Sequence, residues 1–211
     1  VEDLKNWEER FINHLGKLTF SDSSHDLHHF KRVWNLSQKI CDESCDKLVL
    51  LAASYFHDIV SFPKNHPDRS ISSIRAAEKT MEILGEMNFP KDKLPGVFHA
   101  IEAHSYSANI ETTTMEARVI QDADRMESLG SIGLARTFYV SGLMGSSLFE
   151  SNDPFAKKRE LDDKSFAVDH FYVKLLKLQD LMKTEKGREL AKKRTLVMTD
   201  FLDQLKEELF V

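Results

Sequence analysis

The sequence predicts an all-α chain, and three observations carry that prediction. Apolar residues recur at helical spacing along nearly all of the 211 residues. Glycine and proline number only 8 and 5, too few for a turn-dense sandwich or barrel. No segment alternates apolar and polar residues with the period of a half-buried strand.

The elements follow in order. Leu4, Trp7, Phe11 and Leu15 form one stripe of an opening helix. A second helix is expected from His25 to about Glu43, with Val33, Leu36 and Ile40 facing inward. Asp46 is placed to cap a third, whose interior residues Leu48, Leu51, Ala52, Tyr55 and Phe56 lead into His57-Asp58. The stretch from Ser61 to Pro67 holds two prolines and reads as a loop. Helical patterning resumes from about Ser70 to Met87, and a shorter helix lies between Pro90 and His104, starting near Pro95.

Thr113 and Glu116 have the spacing of a capping box, announcing a long helix through Asp122, Asp124 and Leu129. Gly142 to Asn152 reads as a break, and Asp153-Pro154 as a cap with a first-turn proline. Two amphipathic helices complete the chain, at about 165–184 and 187–209. We read one compact multi-helix domain over 1–211, with a core at about 20–138 and C-terminal helices at about 153–209 packing on it.

Composition narrows the function classes. Hydrophobic residues make up 41% and charged residues 30%, enough to bury a core. A net charge of -5 advertises neither nucleic acid nor an anionic membrane as partner. The basic runs Lys157-Lys158-Arg159 and Lys192-Lys193-Arg194 lack interleaved aromatics and read as solvated faces. Cys41 and Cys45 have no companions at zinc-site spacing and read as idle thiols. No apolar run is long enough to span a membrane, and the N-terminus lacks a signal-peptide pattern, so cytoplasm is the expected location. The sequence leaves oligomeric state open.

Histidine placement points to chemistry. Nine histidines are present, three of them in Ser24-His25-Asp26-Leu27-His28-His29, and another touches an aspartate in His57-Asp58. Imidazole and carboxylate suit divalent ions of intermediate hardness. A His-Asp pair at a helix end, joined by one histidine from the preceding helix and one aspartate from a later one, would supply four ligands. An octahedral ion would then keep two positions for water and substrate. Taken alone, His57-Asp58 has a plainer reading, a terminal histidine favoured by the helix dipole.

The surrounding residues favour the metal. The segment Ser24-His25-Asp26-Leu27-His28-His29-Phe30-Lys31-Arg32-Val33 resembles the opening motif of HD-domain phosphohydrolases. His57-Asp58 resembles the doublet that names that superfamily, and Gln121-Asp122-Ala123-Asp124-Arg125-Met126 its last aspartate segment. Pro63-Lys64-Asn65-His66-Pro67, His104-Ser105 and Ile132-Gly133-Leu134-Ala135-Arg136 are similar to features of small stand-alone bacterial HD hydrolases. The resemblance covers roughly residues 20 to 200. It implies metal ligation by His29, His57, Asp58 and Asp124, with Asp124 favoured over Asp122, and turnover in which His57 and Asp58 act through the ion.

A bound ion makes water nucleophilic and polarises a phosphoryl oxygen, so no serine or cysteine nucleophile is required. Mn²⁺ is the favoured ion, with Mg²⁺, Fe²⁺, Co²⁺ and Ni²⁺ compatible. Charge developing on phosphoryl oxygens needs donors. Lys64 and Asn65 are the first candidates, with Lys64 also assisting catalysis; Arg69, His104 and Lys174 are further ones. His25 and Asp26 are expected to orient His29 or to cap its helix. The expected substrate is a small phosphorylated, nucleotide-like molecule. The cationic residues lean toward nucleoside triphosphate pyrophosphohydrolysis. A nucleoside monophosphate phosphomonoesterase, a cyclic-nucleotide phosphodiesterase and a non-catalytic nucleotide-sensing module stay open.

Overall fold

Trp7, Phe11 and Leu15 are the buried face of α1 (Leu4–Leu15), as their spacing predicts. The computed structural model describes residues 3–18, 27–62 and 66–210. Among the described residues there are nine α-helices, with 3-10 turns between some of them; the only β-type pairing is an isolated bridge between Ser147 and Phe166. The chain divides into two compact units, residues 1–124 and 125–211.

The first unit is built around α3 (Lys47–Phe56), in which every residue from Val49 to Phe56 is buried. A helix apolar on all sides must be enclosed. It packs against α1, α2 (Leu27–Ile40) and α5 (Leu94–Glu102). Phe11 meets Phe56 edge-on at 5.0 Å, and Trp7 meets Phe89 in the same manner at 5.0 Å. The Tyr55 hydroxyl donates to Glu8 at 2.6 Å, tying α1 to α3 by a polar contact as well.

Asp46 caps α3 as expected, accepting from the amides of Leu48 and Val49 at 2.9 and 3.2 Å. The capping box expected at Thr113 and Glu116 does not form. Helix α6 (Met115–Met126) is capped one residue later, where Thr114 Oγ1 accepts from the Ala117 amide at 3.2 Å. Glu116 then stands one position too early to reach back to the cap amide. It accepts instead from the backbone amide of Asp46 at 2.7 Å, linking the starts of two helices. Lys93 completes this joint with a 2.7 Å ion pair to Asp46.

The helix expected from Ser70 to Met87 starts as a 3-10 turn (Pro67–Ile71) and continues as α4 (Ser72–Glu86). Likewise, α5 follows a 3-10 turn (Lys91–Lys93), with Pro95 in its first turn.

The long helix expected to run through Leu129 breaks after Met126 and resumes as α7 (Gly130–Leu143). Two glycines make the break possible. Gly130 has φ +69, a left-handed conformation that favours glycine, and a Cβ on Gly133 would lie 2.3 Å from the Ser128 carbonyl oxygen.

Asp153-Pro154 opens no helix. The Asp153 carboxylate accepts from the amides of Lys157 and Lys158 at 2.9 and 2.7 Å, and Ala156 has φ 48, so the segment turns back on itself. The helix expected over 165–184 is α8 (Ala167–Val173) followed by a 3-10 turn (Leu175–Leu181), because Lys174 leaves helical geometry at φ -131. Buried Asp169 holds the preceding loop to α8 through Arg159, with contacts of 2.5 and 2.8 Å. Thr184 caps α9 (Glu185–Leu209), which packs on α7.

Cys41 and Cys45 are buried thiols, and burial pushes that of Cys45 up to about 11. No helix among the described residues is long and apolar enough to cross a membrane.

Candidate metal centre

Three helices of the first unit deliver four ligand-type side chains to one place. His29 lies on the buried face of α2 with Val33, four residues on, and is itself fully buried. His57 follows the last residue of α3, keeps helical backbone geometry, and donates from Nδ1 to the Ser54 carbonyl at 3.0 Å. That bond leaves Nε2 to face the interior. Asp58 comes next in the same turn, and Asp124 projects from α6.

The Nε2 atoms of His29 and His57 are 3.2 Å apart, and Asp124 Oδ1 lies 3.7 Å from each. Asp58 Oδ2 is 3.8 Å from His57 Nε2. One ligand atom from each residue falls within 4.8 Å of all the others. Neighbouring ligands on a six-coordinate ion with bonds of about 2.1 Å stand about 3 Å apart, and opposite ones about 4.2 Å. The four side chains therefore fit a single divalent ion, and their two imidazoles and two carboxylates are the donor set such an ion accepts.

The electrostatics agree. Burial alone would push the His57 imidazole down, but the carboxylates of Asp58 and Asp124 outweigh it and raise it to about 9. Burial alone would push Asp124 up, but the hydrogen bond and charge of His57 hold its carboxyl well below the usual carboxylate range. Positive charge is favoured where the four residues meet.

His104 extends the site. It follows the end of α5, is buried, and donates from Nδ1 to the Ile101 carbonyl at 2.6 Å. Its Nε2 is thereby turned toward Asp58 Oδ1, 3.4 Å away, and its ring meets that of His57 edge-on at 4.9 Å. Asp58 presents one oxygen to His57 and the other to His104.

The remaining candidates are distributed as follows. Asp122 is fully buried and is not among the four clustered residues; Asp124 is. His28 is exposed beside His29. The Arg69 guanidinium donates to the Phe62 carbonyl. Lys174 is exposed in the second unit, where α8 gives way to the 3-10 turn. Lys64, Asn65, His25 and Asp26 lie outside the described residues. His99, given no role from sequence, donates to Glu102 at 3.0 Å and accepts from the Thr113 amide at 3.0 Å, fastening the turn between α5 and α6.

Comparison with known proteins agrees with this geometry. Residues 26–129 match the family model described as HD domain, a span that contains all four clustered residues. The chain is 29% identical to YpgQ of Bacillus subtilis over 99% of its own length and 93% of that protein's. The crystal structure of YpgQ in complex with ADP superposes with a TM-score of 0.73 at 26% identity, covering 97% of this chain and 96% of that one. An HD-superfamily hydrolase from Bacillus thuringiensis gives a TM-score of 0.75 at 25% identity over 98% of both chains. A protein from Lactobacillus plantarum gives 0.73 at 30% identity over 97% of both. This chain belongs to the HD-domain family and is a metal-dependent phosphohydrolase of that superfamily.

Proposed function

We propose that the chain hydrolyses a nucleoside triphosphate between its α and β phosphates, releasing pyrophosphate, with Mn²⁺ as the activating ion. One observation carries this reading: four ligand-type side chains converge beside His104 in a chain whose relative YpgQ has been crystallised with ADP. A divalent ion held by His29, His57, Asp58 and Asp124 supplies the Lewis acid that makes a water nucleophilic and polarises a phosphoryl oxygen.

The chain's own groups supply the rest. His57, fixed at Nδ1 by Ser54, keeps one ring nitrogen aimed at the cluster. His104, fixed at Nδ1 by Ile101, presents Nε2 beside Asp58, where the doubly protonated ring would donate to a phosphoryl oxygen. Lys64 and Asn65 supply cationic and amide donors for the phosphates. The Arg69 guanidinium donates to the Phe62 carbonyl.

Product identification with Mn²⁺ and a panel of nucleotides tests the proposal. Pyrophosphate with nucleoside monophosphate is the expected outcome, with solvent oxygen carried by the phosphorus that was attacked. Orthophosphate alone from a monophosphate would make the chain a phosphomonoesterase. Nucleotide binding without turnover would leave a sensing module. Asp58→Ala should abolish turnover while leaving the helical fold intact.

A further inference from the structure

The last carbonyls of a helix have no partner within it and must find donors elsewhere. At the end of α5 the last two carbonyls and that of Ala103, the residue that follows, each take a side-chain donor. Ile101 accepts from His104 Nδ1 at 2.6 Å, Glu102 from Ser73 Oγ at 2.8 Å, and Ala103 from Gln121 Nε2 at 2.8 Å. Ser73 and Gln121 are both buried. They stand on the elements that frame the metal centre. Ser73 is the second residue of α4, and Gln121 lies three residues before Asp124 on α6, hence on a neighbouring face of that helix.

Ser72, the first residue of α4, holds the other side. Its hydroxyl donates to the Val60 carbonyl at 3.0 Å and accepts from the Phe62 amide at 3.3 Å, so it grips the segment that leaves Asp58. Two adjacent serines therefore join the backbone after Asp58 to the backbone before His104. Gln121 joins that same backbone to the helix of Asp124. The 3.4 Å approach of His104 Nε2 to Asp58 is framed by directional bonds, which fix distance and angle more narrowly than apolar packing does.

We propose that Ser73 and Gln121 are positioning residues for hydrolysis. Acting through the carbonyls of Glu102 and Ala103, they set where the His104 ring stands relative to Asp58 and Asp124. The inference rests on the role given above to His104. It differs from simple satisfaction of buried carbonyls in what it demands of the ring.

Ser73→Ala and Gln121→Met remove the donors with little change in side-chain volume, and Ser73→Thr keeps the hydroxyl. Two measurements on the full chain decide the matter. In metal-free protein, NMR follows hydrogen exchange at His104 Nδ1–H. We expect exchange to quicken at least about tenfold in Ser73→Ala and Gln121→Met, with Ser73→Thr close to wild type. With Mn²⁺ and a nucleoside triphosphate, kcat should fall about 10- to 100-fold while KM stays within about threefold, as for a displaced catalytic group. The proposal is overturned if exchange at His104 is unchanged in both variants. It is equally overturned if kcat falls only in step with the unfolded fraction and threonine restores nothing. Should one variant fail to fold, the other decides by the same criteria. If wild-type protein turns over no nucleotide, the proposed function fails, and the exchange measurement still judges this inference.

Discussion

His57 donates from Nδ1 to the carbonyl of Ser54, one helical turn before it and 3.0 Å away, so the tautomer of this imidazole is set by its own helix. Nε2 is then the nitrogen for which a proton and a metal ion compete. In metal-free protein the two carboxylates overcome burial and raise His57 to about 9. Because the value is raised, the stabilisation from the protonated ring is full below the unfolded value of about 6.5 and is lost as pH rises through about 9. Mn²⁺ binding near pH 7 should therefore release about one proton, and apparent affinity should climb with pH until His57 is neutral. Calorimetry in buffers of different ionisation enthalpy measures the proton directly. Affinity flat between about pH 6 and pH 9 would contradict the assignment.

His104 approaches the Asp58 oxygen that His57 does not, and its replacement tests donation to substrate. His104→Ala should lower kcat about 100-fold, in the range seen when one transition-state donor is removed. Mn²⁺ affinity should change little, since His104 is not one of the four clustered ligands. Equal loss of metal binding and turnover would show instead that the ring serves the ion.

The joint at Asp46 predicts a pH-dependent stability. Burial would raise its carboxyl, but the Lys93 contact and the amides of Val49 and Leu48 outweigh this and lower it. Its stabilisation is thus present above the unfolded value of about 3.9 and fades as pH falls. Asp46→Ala should cost about 1 kcal/mol at neutral pH, the usual worth of a helix cap. Thermal melts of the two proteins should draw together as pH falls below the ordinary carboxylate range; a gap that widens in acid would be the wrong sign.

Gly133 should tolerate no side chain. A Cβ there would overlap the Ser128 carbonyl at 2.3 Å, and backbone cannot step aside as a flexible side chain can. Gly133→Ala should destabilise by about 2 kcal/mol or more, measured by denaturant unfolding. At Gly142, where nothing lies within 4 Å of a Cβ, alanine should be neutral or mildly stabilising.

The helical architecture was legible wherever a stripe of apolar residues had a polar cap beside it, as at Asp46 and Val49 to Phe56. It was misread where tertiary contacts decide. Glu116 has the spacing for a local cap, yet its partner is an amide 70 residues earlier, which no window on the sequence contains. Gly130 and Gly133 sit inside a helical pattern, and only the left-handed φ of Gly130 and the close approach of Ser128 to Gly133 show why glycine stands at each. The four residues that cluster at the ends of α2, α3 and α6 could be singled out because motifs surround them. Ser72, Ser73 and Gln121 were not, since a serine or glutamine bonded to a carbonyl leaves no periodic mark.

The family match opens at residue 26, after α1 has ended. Yet α1 lays Phe11 against Phe56, the residue next to His57, and gives Tyr55 its carboxylate partner in Glu8. A chain trimmed to the matched span would bare an aromatic ring and a phenol on the rear of the turn that carries the His-Asp doublet. The wall behind the His-Asp turn is thus raised by a stretch of polypeptide outside the matched span.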